Sequence, residues 1–185
     1  MPINFLKIHD NFHMQWDVEK IVNELSNIRS SLEPEDPMGI SFNRNLYTLY
    51  KYECESLADN LTNIQTTIKQ SCLPTKSVML DAFLGCAFSP KRICISRLLP
   101  GQAVAVHCDK TRSIALNIGI KNANACKIHM SNTVDINKFW ESERQEYVMN
   151  DGDMYLVHVK NAHLVESLRP ISDRITRFII TYSLI

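Results

Sequence analysis

The chain contains 185 residues, with 20 basic and 20 acidic side chains that give a formal net charge of zero. A chain of this length can bury one substantial core, so the sequence predicts a single domain over residues 1–185. The balanced charge, with no run of lysine or arginine, gives no electrostatic preference for nucleic acid or an anionic membrane.

The cysteines and the N-terminus bear on the cellular compartment. The six cysteines stand singly, without a Cys-x-x-Cys pair, and the N-terminus lacks the basic and apolar segments of a secretion signal. No apolar run approaches the ~20 residues that a membrane helix needs. We therefore expect a cytoplasmic protein with no membrane partner, whose cysteines are reduced and mostly buried.

The first 76 residues carry mainly helical patterns. Asp17 precedes apolar residues that recur at threes and fours as far as Leu32, and Pro34 ends this first helix. A short strand is predicted around Tyr47, Tyr50 and Tyr52. A second helix carries one apolar face, made of Leu57, Leu61, Ile64 and Ile68. We interpret residues 1–76 as a helical region that buttresses the rest of the domain.

From residue 77 onwards the pattern changes to short β-rich runs separated by turns. Strands are predicted at 78–83, 92–99, 103–107, 113–120, 125–130, 146–148, 154–159, 164–168 and 175–183. About eight strands at this spacing, with little helix between them, are typical of an antiparallel sandwich or jelly roll. One long insertion, residues 131–144, interrupts the series and contains Trp140.

The chemistry-bearing residues begin with His107-Cys108-Asp109 at the end of a predicted strand. His107 and Asp109 are two residues apart, so in extended backbone both side chains project to the same face. Two imidazoles and one carboxylate form the facial triad that holds non-haem Fe(II) and leaves three coordination positions open. His158 and His163 are the two downstream histidines that could complete this set.

Six motifs follow one another along the second half of the chain. They are Leu99-Pro100-Gly101, His107-x-Asp109, Leu116-Asn117-Ile118, Asp151-Gly152-Asp153-x-Tyr155-Leu156, Asn161-Ala162-His163-x-Val165-Glu166 and Asp173-Arg174-Ile175-Thr176. Their order is that found in 2-oxoglutarate/Fe(II)-dependent dioxygenases, and the chain most resembles the prolyl and aspartyl/asparaginyl hydroxylase-like branch. The resemblance covers roughly residue 92 to the C-terminus, about half of the chain.

This resemblance implies a mainly β fold with N-terminal helices, namely a double-stranded β-helix or jelly roll of about eight strands. It implies Fe(II) held by His107, Asp109 and His163, with 2-oxoglutarate and O2 as co-substrates. His163 is favoured over His158 because the family ligand follows the turn after a Gly-Asp-x-Tyr-Leu strand. The implied reaction is hydroxylation of a C–H bond in an amino acid, free or within a peptide or protein, with release of succinate and CO2.

The co-substrate carboxylate needs a cation, and an arginine can hold it through two parallel hydrogen bonds. Arg174 and Arg177 are both candidates. In many relatives a hydroxyl residue follows the arginine by two positions, and Thr176 reproduces this arrangement after Arg174. Asn117, an amide within an otherwise apolar strand, is a further candidate on the co-substrate side.

The substrate side is less defined, because specificity in this fold comes from loops around the barrel mouth. Arg112 lies just beyond the first ligands, His129 lies on a predicted strand, and Trp140 lies in the long insertion. Each also has an ordinary structural interpretation: a solvated charge, a strand histidine and an anchor for the insertion. The sequence leaves the identity of the substrate and the oligomeric state open.

Three other functions are compatible with parts of the pattern. A nucleic-acid dealkylating oxygenase would share the ligands, but the short spacing of Arg174 and Arg177 and the lack of a basic face disfavour it. Halogenases replace the metal-binding aspartate with a small residue, so Asp109 argues against that reaction. A catalytically silent jelly-roll binding module is the alternative from outside the enzymes.

Overall fold

The computed structural model describes residues 4–9, 47–52, 55–70, 77–89, 93–98, 103–110, 112–169 and 177–184. The predicted helix that follows Asp17 lies outside these residues, as do Arg174 and Thr176. The described helices are α1 (Glu55–Gln70) and α2 (Val78–Gly85). The described strands are β1 (Phe5–His9), β2 (Tyr47–Tyr52), β3 (Ile93–Leu98), β4 (Ala103–His107), β5 (Ile114–Lys121), β6 (Cys126–Ser131), β7 (Arg144–Val148), β8 (Met154–Val157), β9 (His163–Ser167) and β10 (Arg177–Leu184).

The strands form two antiparallel sheets, one of six strands and one of four. The larger sheet has the order β1-β8-β5-β10-β3-β2, and the smaller has the order β4-β9-β6-β7. The eight strands β3 to β10 are shared between the two sheets, which is the jelly-roll arrangement. The predicted fold class is therefore confirmed, and β1 and β2 extend the larger sheet at its two edges.

The helices cover the outer face of the larger sheet. Apolar residues alternate with period two along β5 and recur at threes and fours along α1, so each element buries one face against the other. This core consists of Leu61, Ile64, Ile68, Met79, Leu80, Phe83, Ile114, Leu116, Ile118, Ile120, Met154 and Leu156. Neither described helix is long and apolar enough to cross a lipid bilayer.

The strand predicted at 78–83 is wrong, because this segment forms helix α2. Met79, Leu80 and Phe83 are buried, and their spacing matches one face of a helix rather than of a strand. A short apolar run does not by itself separate the two structures, and methionine, leucine and alanine favour the helix. Strand β1 was not predicted. The N-terminal region thus contributes β1 and β2 to the larger sheet, and the helix α2 lies beyond residue 77.

The barrel interior lies between the two sheets and is lined by aromatic and aliphatic side chains. Tyr147 from the smaller sheet and Tyr155 from the larger sheet stack with ring centroids 4.7 Å apart. Phe5 of β1 packs against Tyr147 at 4.4 Å. Ala115 belongs to the same cluster, so strand alternation gives Asn117, two residues further along β5, an interior-facing position.

The two ends of the barrel are distinguished by their connections. The β4–β5, β6–β7 and β8–β9 connections lie together at one end, which we call the mouth; Asp109 N–H donates to Val159 O at 2.9 Å there. The β5–β6 and β7–β8 turns lie together at the other end, which we call the closed end. There Gly119 N–H donates to Asp153 O at 3.0 Å, and Gly152 N–H donates to Gly119 O at 2.8 Å.

Candidate metal centre

Two histidines and an aspartate meet at the mouth. His107 is the last residue of β4 and His163 the first of β9, and the antiparallel register pairs these two positions directly. Their ring centroids are 4.1 Å apart. Asp109 follows two residues later, and one ligand atom from each of the three side chains lies within 4.8 Å of the others. The structure therefore brings together the three residues that the sequence predicts as metal ligands.

The backbone fixes the tautomer of both histidines. His107 Nδ1 lies 2.8 Å from Ala105 O, and His163 Nδ1 lies 2.8 Å from Asn161 O. A carbonyl oxygen only accepts hydrogen bonds, so in the neutral rings Nδ1 carries the proton. Each Nε2 then has a free lone pair, which is the form in which imidazole binds a metal.

Among the described residues, Arg112 supplies the hydrogen bond to the carboxylate of Asp109. Its Oδ2 accepts a hydrogen bond from Arg112 Nε at 2.5 Å. Its Oδ1 lies 3.9 Å from His107 Nε2, beyond hydrogen-bonding distance. The guanidinium of Arg112 therefore orients the carboxylate and leaves Oδ1 directed towards the histidine pair.

Burial keeps both rings neutral. Desolvation lowers the pKa of His107, and it lowers the pKa of His163 to about 3, with a further contribution from the neighbouring His107. Both histidines are therefore uncharged at neutral pH, and neither has to lose a proton before it binds a cation. Two neutral imidazoles and one carboxylate fit a divalent transition metal such as Fe(II) and leave coordination positions open.

His158, the other candidate for the second histidine ligand, lies just beyond β8. Its backbone N–H donates to Asn4 O at 2.8 Å, and its ring is not part of the three-residue group. Within the described part of the chain, the group that converges at the mouth contains His163 and not His158.

The remaining predicted site residues lie in different parts of the barrel. Asn117 has an interior-facing position opposite Tyr155 of β8. Trp140, which is 65% exposed, lies on the β6–β7 insertion with the guanidinium of Arg144 over its ring at 5.3 Å. Arg112 lies against Asp109, as described above, whereas Arg174 and Thr176 fall outside the described residues.

His129 is on the face of the smaller sheet that points away from the interior. Its neighbours in β6, Ile128 and Met130, are in the interior cluster, so strand alternation places His129 on the opposite side. Its Nδ1 lies 3.0 Å from Glu146 Oε1, and its Nε2 lies 2.9 Å from Glu166 Oε1. Both ring nitrogens therefore face carboxylates from the adjacent strands.

Two residues with contacts to the site were not singled out from the sequence. Asn161 supplies the carbonyl that fixes His163, and its side chain donates to Asn4 Oδ1 at 2.9 Å. Asn161 lies within the motif around His163, which could have identified it. Asn4 has no such signal, because its position depends on the pairing of β1 with β8.

Comparison with known proteins gives similarity in structure only. No protein-family model matches the chain, and no curated protein matches its sequence. The chain is similar to a prolyl-4-hydroxylase from Pseudomonas putida, with a TM-score of 0.56 and 10% identity over 96% of this chain and 90% of that chain. It is similar to OsALKBH1, with a TM-score of 0.65 and 9% identity over 99% of each chain.

A third similar structure is the epimerase SnoN in complex with Fe3+, alpha-ketoglutarate and nogalamycin RO. The TM-score is 0.57, with 9% identity over 96% of this chain and 77% of that chain. Structural neighbours also include a member of the 2OG-Fe(II) oxygenase family. At these identities the comparisons establish the fold alone: the chain has a jelly roll similar to those of the structures named above, with a His-Asp-His group at its mouth.

Proposed function

We propose that this chain is a 2-oxoglutarate- and Fe(II)-dependent dioxygenase. One observation carries the proposal: His107, Asp109 and His163 converge at the barrel mouth with both histidine tautomers preset for metal binding. When bound, Fe(II) with 2-oxoglutarate and O2 supplies the oxidant for C–H hydroxylation, with release of succinate and CO2. The protein's own contribution is to hold the ligands, orient the co-substrate and exclude water from the interior.

The co-substrate carboxylate would extend into the barrel towards the start of β10. Arg174, followed by Thr176, is the arginine that the motif favours. The register of β10 favours Arg177 as the alternative, because position 177 pairs with Leu98, which belongs to an apolar cluster with Val104. The interior-facing Asn117 would offer its amide to the same co-substrate.

The proposed substrate is an amino acid, free or within a peptide or protein, acted on in the cytoplasm. Arg112 and Trp140 are the candidate contacts at the mouth, since one lies beside the ligands and the other on a mouth loop. Nucleic-acid dealkylation is a second candidate. Lys160 at the rim favours it, because its Nζ donates to the backbone oxygen of Lys110 at 2.7 Å and so places a cation beside the residue that follows Asp109.

The first experiment adds 2-oxoglutarate to Fe(II)-loaded protein without oxygen and records the visible charge-transfer band of the chelate. We expect a band in the wild type and its loss in His163→Ala. Of Arg174→Ala and Arg177→Ala, the variant that removes the arginine holding the co-substrate carboxylate should weaken the band. His129→Gln, a histidine substitution on the outer face, serves as the control and should keep the band. If intact, iron-loaded wild type gives no band, the oxygenase proposal fails and the silent binding module becomes the better hypothesis.

The second experiment separates the substrate classes. Succinate release would be measured with amino acids, with peptides and with alkylated oligonucleotides, and Trp140→Ala and Lys160→Ala would be compared with wild type. Stimulation by peptides that Trp140→Ala reduces would support the hydroxylase. Stimulation by oligonucleotides alone would favour dealkylation instead.

A further inference from the structure

Asn4 is a buried polar residue that joins β1 to three other parts of the mouth. It is 2% exposed, directly before β1 in the larger sheet. Its N–H donates to Gln145 Oε1 of β7 at 3.2 Å, and its backbone carbonyl accepts from His158 N–H at 2.8 Å. Its side-chain Oδ1 accepts from Asn161 Nδ2 at 2.9 Å. Asn4 therefore connects the two sheets and the β8–β9 loop.

The contact with Asn161 leads directly to a candidate metal ligand. Asn161 O is the acceptor for His163 Nδ1, so two successive hydrogen bonds connect β1 to the imidazole. The next residue of the loop is held from the opposite side. Ala162 N–H donates to Thr133 O at 2.7 Å, and Ala162 O accepts from Ser131 N–H at 2.9 Å. The loop is thus clamped between β1 and the start of the β6–β7 insertion.

The direction of the Asn161 carbonyl determines which nitrogen of His163 can bind a metal. While the carbonyl accepts from Nδ1, the proton stays on Nδ1 and Nε2 keeps its lone pair. If the Asn161 carbonyl turns away, Nδ1 of His163 loses its acceptor, and His163 is only 7% exposed. The tautomer with the proton on Nε2 then becomes accessible, and that form offers no Nε2 lone pair to the cation.

We propose that Asn4 is a positioning residue for the metal centre: it bonds the Asn161 side chain and, together with the bond from Ala162 N–H to Thr133 O, keeps the Asn161 carbonyl on Nδ1 so that His163 presents Nε2 to the metal. The inference rests on the proposed function for the identity of the centre. The tautomer of His163 in metal-free protein does not depend on that identity, so it tests the role of Asn4 separately.

The test combines NMR of the metal-free protein with metal titration. Long-range 1H–15N spectra at neutral pH report the protonated nitrogen of His163, and titration with Co(II) gives the dissociation constant. Asn4→Ala should convert a single Nδ1–H tautomer into a mixture. It should weaken Co(II) binding by about 3- to 10-fold. This effect is smaller than that of losing a direct partner of a ligand histidine, because Asn4 lies one hydrogen bond further from His163.

Three further variants make the result specific. Asn161→Ala removes the same hydrogen bond from its other end, so Asn4→Ala and the double variant should give about the same Co(II) affinity. Asn4→Asp keeps an acceptor oxygen and should restore much of the wild-type tautomer. Lys7→Met is the matched control, since Lys7 anchors the same strand through Asp153 at 2.9 Å, away from the loop. It should leave both readouts unchanged.

The outcomes are separable. A wild-type tautomer and affinity in Asn161→Ala would overturn the proposal even if Asn4→Ala fails to fold. Additive losses in the double variant would also overturn it, because independent effects mean that the shared bond is not the cause. If wild type binds no Co(II) but the tautomer of His163 shifts in Asn4→Ala, the positioning role of Asn4 is supported and the metal assignment fails.

Discussion

The two ends of the barrel use the same kind of side chain in opposite ways. At the closed end, both carboxylate oxygens of Asp151 are bonded: Oδ1 accepts from Ala123 N–H at 2.7 Å and Oδ2 from Asn122 N–H at 3.1 Å. At the mouth, Asp109 has one oxygen on Arg112, whereas the other lies 3.9 Å from the nearest imidazole nitrogen. One aspartate has both oxygens bonded within a turn, and the other directs one oxygen towards the histidine pair.

Histidines of the smaller sheet differ in the same way. Both ring nitrogens of His129 face carboxylates at 3.0 Å or less. His107 and His163 each bond through Nδ1 to a backbone carbonyl and leave Nε2 for the centre between them. The comparison therefore separates two histidines whose Nε2 atoms lie beside Asp109 from a third whose ring nitrogens both lie beside glutamates.

The largest expected effect is the loss of metal binding when the carboxylate of Asp109 is removed. Asp109→Ala should weaken Co(II) or Fe(II) binding by more than about 100-fold, beyond the effect of losing an outer partner of a ligand. Asp151→Ala should leave the metal affinity unchanged. It should lower the free energy of unfolding by about 1–2 kcal/mol, because two backbone N–H groups lose their acceptor.

Calorimetric metal titration and urea unfolding of both variants would test this distinction. If Asp151→Ala weakened metal binding as much as Asp109→Ala, the assignment of separate roles to the two ends would be wrong.

The metal-free protein should lose stability at mildly acidic pH because of the mouth. The pKa of His163 is lowered from 6.5 to about 3, mainly by burial, and that of His107 is lowered as well. Between these values the folded ring is neutral and the unfolded ring is protonated, so unfolding takes up a proton. Stability is then fully present above about pH 6.5 and falls with decreasing pH, by up to about 1.4 kcal/mol per pH unit for each histidine.

The measurement is the free energy of unfolding in urea from about pH 7 to about pH 4.5, compared with His163→Leu. Acidic side chains also titrate in this range, but they do so in both proteins, so the difference between the two curves reports His163 together with its interaction with His107. Parallel curves would mean that folding does not lower the pKa of His163.

At the closed end, a single added methyl group should destabilise the fold without changing metal binding. A Cβ on Gly119 would collide with the backbone oxygen of Asn150 and lie 2.7 Å from the Cβ of Ala123. Because backbone cannot move aside easily, Gly119→Ala should cost about 1–3 kcal/mol of stability. Gly85→Ala is the matched control, since nothing lies within 4 Å of its added Cβ. Thermal unfolding of the two variants gives the comparison, and equal melting temperatures would contradict it.

The sequence was most informative where chemistry and local pattern coincide. His107 and Asp109 were found because two residues of separation at a strand end direct both side chains to one face, and β4 has the predicted bounds, 103–107. His163 was found through its motif. The turn at Asp151 and Asp153 follows a local rule of the same kind, since aspartates beside a glycine commonly bond the backbone of a turn.

Features that depend on contacts distant in the chain were not found. The role of Asn4 depends on the pairing of β1 with β8. Its partners Gln145 and Asn161 lie 141 and 157 residues further along the chain. Helix α2 was missed because a short apolar run fits both a buried strand and a buried helix. The contacts of His129 with Glu146 and Glu166 depend on the register of three strands, because a one-residue shift would move every side chain of a strand to the opposite face.

The smallest expected effect concerns that histidine. His129→Gln should change the metal dissociation constant by less than about 2-fold, because the ring lies on the outer face of the smaller sheet and contacts no ligand of the centre. Its loss should instead lower stability modestly, by about 0.5–1.5 kcal/mol, since the glutamates of β7 and β9 lose a shared partner. Metal titration beside thermal unfolding would measure both quantities. A large change in metal affinity with unchanged stability would mean that the outer face of the sheet is coupled to the mouth, and the division between structural and functional histidines would not hold.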